Sequence, residues 1–444
     1  LKNAEAIKSI SLDIHEHPEL GSQERRSSKL LADKLESAGF DVERGFMGMD
    51  TSFLARYGNG SKKVAVLAEY DALPIGHACG HNIIGAWAMG VGLSLVNELG
   101  DATLYVVGTP AEEGLGKYAA SKVLIAPQLL KMGVSAVFAV HPGGEWMVGA
   151  NLLGVSRYSY VFKGRDAHAA ASPEKGINAL DAAVDFYIAL RMMHGLLDRK
   201  HQFVLSAIIK DGGTAPNVIP GRAEVWADIR ADEESYLDDL IGKVNDRARA
   251  AAAINGCGID IAQITPKISP FKRNEALDDV YYAAAKKYLG DSLISVSEAY
   301  SRIPEASSDV GNVSQVVPTS HLTIKIGPKG IPAHSLEFLR AAGSQEAMEA
   351  LITAVAIGHD AVLNFVRGQL RTGALSVFRK PMCGKTWYSM VQDDNLEKVQ
   401  IAVDRWREKD GANRCLNRRI RGVWRGLQKL LSRDWSKRGR NGGC

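Results

Sequence analysis

Cysteine is scarce in this chain: five in 444 residues, at positions 79, 257, 383, 415 and 444, without the regular spacing of a disulfide framework. A fold stapled by disulfides is thereby excluded, and a reducing compartment is expected. Long apolar runs are also missing. No stretch approaches the roughly 20 apolar residues of a membrane span, and the opening LKNAEAIKSISLDIHEHPEL holds no apolar core of the signal-peptide kind. These absences make the cytoplasm the expected location, with no membrane partner. Apolar residues are nonetheless plentiful in total. At 46% hydrophobic and 23% charged, the composition is that of an ordinary globular chain of about two or three domains.

A net positive charge is lacking over most of the length. Of 54 Lys+Arg and 50 Asp+Glu, 19 and 7 fall from residue 367 onward, so that stretch is near +12 and everything before it near −8. Four of the seven tryptophans and three of the five cysteines lie there too. Basic residues interleaved with aromatics can bind nucleic acid. The break in composition directly after a helical pattern at 345–366 reads instead as an appended extension, residues 367–444, with no catalytic role and no nucleic-acid partner expected.

Before that break, helix and strand patterns alternate in the α/β manner. Residues 27–38 (SSKLLADKLESA) carry apolar positions at helical spacing, and 63–68 (KVAVLA), 103–107 (TLYVV) and 136–140 (AVFAV) are short buried-strand patterns. A second organisation begins near residue 154. Strand-like 158–163, 203–209, 223–230 and 259–264 interleave with helical 178–190 and 234–252 in the order β-α-β-β-α-β, which packs as a four-stranded sheet with two helices. The expected architecture is a discontinuous domain, 1–153 and 267–366, with a central mixed sheet flanked by helices. A ferredoxin-like α+β domain, 154–266, is inserted into it.

Chemistry-bearing residues follow the strands. Glu112 and Glu113 come after the second strand, His141 ends the third, His77-Ala78-Cys79-Gly80-His81 follows the first, and His334 sits in a Gly- and Pro-bounded loop. Sites in open α/β sheets form beyond the carboxyl ends of strands. Cys79 alone would read as a small buried apolar residue; flanked by His77 and His81 it reads as a metal ligand. A thiolate, imidazoles and a carboxylate suit a borderline-soft ion, and a second adjacent carboxylate supplies the proton acceptor of metal-assisted hydrolysis. In Glu112-Glu113 one side chain can face a metal while its neighbour faces the water. His77 is read as less central than His81, with Asp71 as its expected partner. His194, His201 and His359 read as surface or packing residues.

The runs GHACGHN, GTPAEEG, AVHP, FKGRDAHAAASPEKGINALDA, APNVIP, SSDVGNVS and IPAHSLEF, in this order over roughly residues 5–366, resemble the dinuclear metallopeptidase family of aminoacylases, carboxypeptidases and auxin-conjugate amidohydrolases. EYDALPIGHACGHN is most similar to the branch that holds p-aminobenzoyl-glutamate hydrolase and the β-alanyl-lysine-type dipeptidases. The auxin-conjugate branch has Asp after CGH and His two residues later, where this chain has Asn82 and Ile84.

That resemblance implies two divalent ions, zinc or manganese, on Cys79, His81, Glu113, His141 and His334, with Glu112 as general base and then acid. It further implies a zinc-peptidase-like catalytic domain and a homodimer through the inserted dimerisation or lid domain. His168 then polarises the scissile carbonyl across the dimer, and Asn217 and Arg230 lie near a substrate carboxylate. The expected activity is hydrolysis of a small dipeptide or N-acyl amino acid, p-aminobenzoyl-glutamate-like or β-alanyl-dipeptide-like. The alternatives are a general N-acyl-amino-acid amidohydrolase of aminoacylase or auxin-conjugate type, a second subunit type in addition to the homodimer, and a non-catalytic binding protein on the same fold. An intact Glu112 and an unbroken ligand set argue against the last.

Overall fold

The structure is a computed structural model and describes residues 3–304 and 306–368. Apart from its first two residues, the basic extension lies outside the described residues. Helices α1 (Ala4–Glu16) and α2 (Arg25–Ser37) lead into strands β1 (Asp41–Arg44), β2 (Phe53–Tyr57) and β3 (Lys62–Ala68), followed by α3 (His81–Ser94), β4 (Ala102–Gly108), α4 (Lys122–Lys131), β5 (Ala136–Gly143) and β6 (Trp146–Val148). The chain then runs through β7 (Gly154–Lys163), β8 (Ala167–His168), α5 (Ala179–Met193), β9 (Phe203–Asp211), β10 (Val218–Ile219), β11 (Arg222–Ala231), α6 (Glu234–Ile254) and β12 (Gly258–Gln263). It returns with α7 (Glu275–Leu289), β13 (Leu293–Ile294), α8 (Val296–Ser301), α9 (Val310–Val316), β14 (Thr319–Lys325), α10 (Leu336–Ala342) and α11 (Gln345–Val366).

The eight strands of the large sheet lie in the order β1-β2-β4-β3-β5-β14-β6-β13. Its centre, β4-β3-β5-β14, is parallel, whereas β2 joins β4 and β6 joins β14 antiparallel. Parallel strands covered on both faces need apolar residues on both, and these supply them. Val64, Val66, Leu104, Val106, Phe138 and Val140 face one cluster with α1, α3, α7 and α11, while Ala65, Leu67, Tyr105, Val107, Val137 and Ala139 face a second with α4 and α9. Helix α3, HNIIGAWAMGVGLS, is apolar all round, as a helix enclosed by other elements must be, and every residue from His81 to Leu93 is buried. Helix α11 has the length and composition to cross a membrane, yet it packs on α3 and α7 with Leu351, Ala354, Val355 and Ile357 in the core.

The inserted elements form an antiparallel sheet, β12-β7-β11-β9, with α5 and α6 closing a core of their own around Phe162, Phe186, Val225 and Leu240. Its element order is the β-α-β-β-α-β expected from sequence. Not anticipated is the two-stranded ribbon β8–β10, in which His168 pairs with Val218.

The return segment docks closely. In α9 a Cβ on Gly311 would stand 1.9 Å from the carbonyl oxygen of Ser269, a backbone atom that cannot swing aside. Gly311→Ala is therefore expected to lower stability by about 3 kcal/mol, as overpacking of a tight core does, read as a shift in the urea midpoint. An unchanged midpoint would show that this contact relaxes freely.

Candidate metal centre

Strands β3, β4 and β5 run parallel, so their carboxyl ends deliver Glu69 and Asp71, Glu112 and Glu113, and His141 to one edge of the sheet. Helix α3 brings His81 as its first residue, and Gly80 ahead of it has φ +74°, which a glycine adopts without strain. A Cβ there would meet the Pro142 ring at 2.8 Å. The absence of that Cβ lets the CGH turn close on the end of β5, leaving Cys79 Sγ 3.4 Å from His141 Nε2.

Asp71 organises the rest. Fully buried, it accepts from His81 Nδ1 at 2.9 Å with one oxygen and from the backbone N–H of Glu113 at 3.0 Å with the other. Burial opposes its charge, but His81 outweighs this and holds the carboxyl below its usual range. With Nδ1 committed as donor, His81 Nε2 turns inward. It has no hydrogen-bond partner and stands 3.6–3.9 Å from carboxylate oxygens of Glu69, Glu112 and Glu113. Burial would push His81 down, yet Asp71 raises it well above the ordinary range: the site draws positive charge onto this ring. His141 donates from Nδ1 to the Pro142 carbonyl at 2.8 Å, leaving Nε2 toward the sulfur, and burial followed by His81 pushes its pKa down.

Among the described residues, donor atoms converge within 4.8 Å in three groups: Cys79, His81 and His141; Cys79, Glu113 and His334; Glu69, His81 and Glu112. The five donors marked in the sequence thus meet in two groups that share the Cys79 sulfur. His334 reaches Glu113 at 3.4 Å from a loop where its own φ is +62° and its N–H is held by the Ala78 carbonyl. Orphaned buried atoms, Glu113 Oε1 and His81 Nε2 among them, and the sulfur, imidazole and carboxylate set fit divalent ions of the zinc class. Burial pushes the Cys79 thiol up to about 12, so ligation must supply the charge that removes its proton. Glu112, pushed up to about 8 by burial and then by Glu69, stands at the margin of the donors.

His77 lies outside these groups, and Asp71 serves His81 rather than His77. The His77 ring is buried and stacked on His15, and burial holds it down at about 3. His168 is exposed on its ribbon and accepts from the N–H groups of Ala170 and Ala171. Beside it, the Asn217 carbonyl accepts from Ala169, and Arg230 bonds Asp228 and, at 3.2 Å, Ser307. His168 belongs to none of the three donor groups. Sequence reasoning missed Glu69, Lys122 and Asp309, a buried carboxylate–ammonium–carboxylate chain at the same edge. Glu69 and Asp309 sit in the motifs EYDALP and SSDVGNVS, whereas nothing marks Lys122.

If Asp71 orients His81 and Glu113 together, Asp71→Asn weakens divalent-metal binding by about 10–100-fold without unfolding the chain. Competition against a chromophoric chelator measures this, and wild-type affinity in a folded variant would remove Asp71 from the site.

Residues 152–255 match the family model of a peptidase dimerisation domain. Over 397 residues the chain is 34% identical to the Xaa-Arg dipeptidase of Mus musculus, a similarity that covers 85% of this chain and 89% of that protein. It is 30% identical over 302 residues to a p-aminobenzoyl-glutamate hydrolase subunit of Escherichia coli (strain K12), covering 63% and 62%. In fold it resembles a dinuclear metal binding peptidase from the M20 family of Bacillus subtilis, with TM-score 0.63 and 21% identity over 82% of this chain and 98% of that one. Identity at this level across most of a dipeptidase, together with the dimerisation segment and the shared fold, shows that the chain belongs to the M20 peptidase family.

Proposed function

We propose that this chain is a metal-dependent amidohydrolase that cleaves a small dipeptide or N-acyl amino acid with a free carboxylate, of the β-alanyl-dipeptide or p-aminobenzoyl-glutamate kind. The observation that carries it is the convergence of Cys79, His81 and His141, and of Cys79, Glu113 and His334, around one shared sulfur, with Glu112 beside them. The names of the mouse and Escherichia coli relatives, a dipeptidase and an acyl-glutamate hydrolase, support the substrate class. In this reading the five donors hold two divalent ions, zinc or manganese. Such ions, when bound, polarise a carbonyl and lower the pKa of water towards about 7.

Glu112 is then the group that moves the proton. Its carboxylate takes it from the attacking water and returns it to the leaving amine. Asn217 and Arg230 orient the substrate's carboxylate. The Arg230 guanidinium carries five N–H donors, more than its bonds to Asp228 and Ser307 engage.

His168 completes the site from a partner subunit. Two features of the inserted domain support a homodimer. Val184, Ile188, Met192 and Leu196 expose an apolar stripe at four-residue spacing along and just past α5, and β9 next to it is an edge strand with Val204, Ile208 and Ile209 exposed. An apolar stripe beside an open sheet edge is a self-complementary surface. The Escherichia coli relative is named a subunit, so a second chain type is the alternative to a homodimer acting alone. The cytoplasm is the proposed location; Cys79 and Cys257 are both free thiols, as a reducing compartment keeps them.

Hydrolysis is to be screened over β-alanyl-lysine, Xaa-Arg dipeptides, p-aminobenzoyl-glutamate and N-acetyl amino acids, with zinc or manganese added. Free-carboxylate substrates should be cleaved and their carboxamides spared, and chelation should abolish turnover. Glu112→Gln should lose about a hundredfold or more in rate with both ions retained, whereas Glu113→Gln should lose metal. Metal-loaded protein inert on the whole panel, or equal metal loss in both variants, would overturn the assignment.

Sharing of the site is tested by mixing two inactive parents, His168→Ala and Glu112→Gln. Random exchange into C2 dimers should return up to about a quarter of wild-type activity, because one site in each hybrid then receives both intact residues. Heterodimers proven by mass and no more active than the parents would place His168 in its own subunit's site or outside catalysis.

A further inference from the structure

Two guanidiniums share one carboxylate on the open face of the inserted sheet. On β11 the odd-numbered Val225, Ala227 and Ile229 enter the core closed by α5 and α6, so the even-numbered Asp228 and Arg230 face the other way. Arg157 on β7 stands directly opposite Asp228. The Asp228 carboxylate accepts from Arg230 Nε at 3.0 Å and Nη2 at 3.3 Å, and from Arg157 Nε at 3.0 Å. A cross-strand ion pair needs one arginine for one carboxylate. The second leaves a net positive spot in a body that carries more acid than base. The Arg157 side chain is 45% exposed, and its guanidinium has no other partner among the described residues. Of its five N–H donors, the one on Nε alone is engaged.

Arg230 ties this spot to the sheet edge where the donors meet. Its Nη1 donates to Ser307 Oγ at 3.2 Å. Two residues further on, Asp309 accepts from Lys122, whose Nζ lies 2.9 Å from Glu69, and Glu69 stands 3.6 Å from His81 Nε2. An unbroken run of contacts therefore leads from the candidate metal centre to Arg230 and, through Asp228, to Arg157. After its bonds to Asp228 and Ser307, Arg230 keeps one N–H on each terminal nitrogen, enough for one carboxylate. A second anion on the same molecule has Arg157 beside it.

We propose that Arg157 binds the side-chain carboxylate of a substrate whose α-carboxylate lies on Arg230, so that the amino acid released by hydrolysis is acidic, of the glutamate kind. This rests on the amidohydrolase reading above and chooses within it. An acyl-glutamate fits the two guanidiniums, whereas the side chain of a lysyl or arginyl dipeptide would meet a like charge there. Asp228 cannot offset that charge, because both of its oxygens are already engaged. It is instead the positioning residue. By holding Arg157 through Nε, it leaves the terminal nitrogens free to form the parallel pair of bonds that a carboxylate accepts.

The test compares the p-aminobenzoyl, N-acetyl and β-alanyl derivatives of glutamate, glutamine and lysine on the full chain loaded with zinc or manganese. Glutamine keeps the shape of glutamate without its charge, so the ratio of kcat/KM for the two reads the second carboxylate alone. Taken within one protein sample, that ratio does not depend on how much of a variant folds. Wild type should favour glutamate over glutamine by about tenfold or more, as hydrogen bonds between charged groups do, with lysine last. In Arg157→Met the ratio should fall to near one. Arg157→Lys should keep part of it, since the charge remains without the fork, and Arg157→Glu should turn the preference towards lysine. The wild-type order and the Arg157→Lys ratio carry the test should Arg157→Met fail to fold. Glutamine or lysine derivatives cleaved as well as glutamate by wild type, or an intact glutamate preference in Arg157→Met, overturns the proposal and leaves the amidohydrolase reading standing. A metal-loaded chain inert on every derivative overturns that reading, and this inference with it.

Discussion

The candidate metal centre depends on one buried carboxylate that makes two unlike bonds. Asp71 grips an imidazole with one oxygen and the backbone of the next loop with the other, so a side chain from the start of α3 and the segment beyond β4 are set by the same rigid group. Neither bond alone would suffice. The first fixes which nitrogen of His81 faces inward, and the second fixes where the Glu112-Glu113 pair emerges. Because Asp71 is fully buried, water cannot replace either bond, and an unmade hydrogen bond at such a depth costs about 1–3 kcal/mol. The local fold and the donor geometry are therefore stabilised together.

Much of this was legible in sequence for a simple reason. KVAVLA, TLYVV and AVFAV are short, apolar and β-branched, the pattern of interior strands, and polar residues placed directly after interior strands of a parallel sheet collect at one edge. That argument locates Glu112, Glu113 and His141 without coordinates, while Cys79 and His81 came from the ligand chemistry of the HACGH run that leads into α3. His334 came from its loop chemistry, and its own backbone is left-handed, with φ +62°. The inserted sheet was legible from element order.

What remained hidden depends on side-chain direction or distant pairing. Asp71 was matched to His77 because nothing in the turn between residues 71 and 81 tells which imidazole faces back. Lys122 and Asp309 are 187 positions apart, and a lysine opening a helix looks like any solvated cation. Strand β1, DVER, is too charged to announce itself, and the ribbon carrying His168 has two residues per strand. Such elements exist only through their partners, so local pattern cannot reveal them.

The burial of Cys79 has a bearing on the chain's durability. With 8% of its surface exposed and its thiol pushed up to about 12, the sulfur of a chain stripped of its ions is protonated at any physiological pH. Oxidants and alkylating agents attack the thiolate, not the thiol. On the proposed ligation, the residue that is most vulnerable in principle is thus guarded both when ligated and when bare, by coordination in one state and by its proton in the other, a protection that does not depend on the ion's presence.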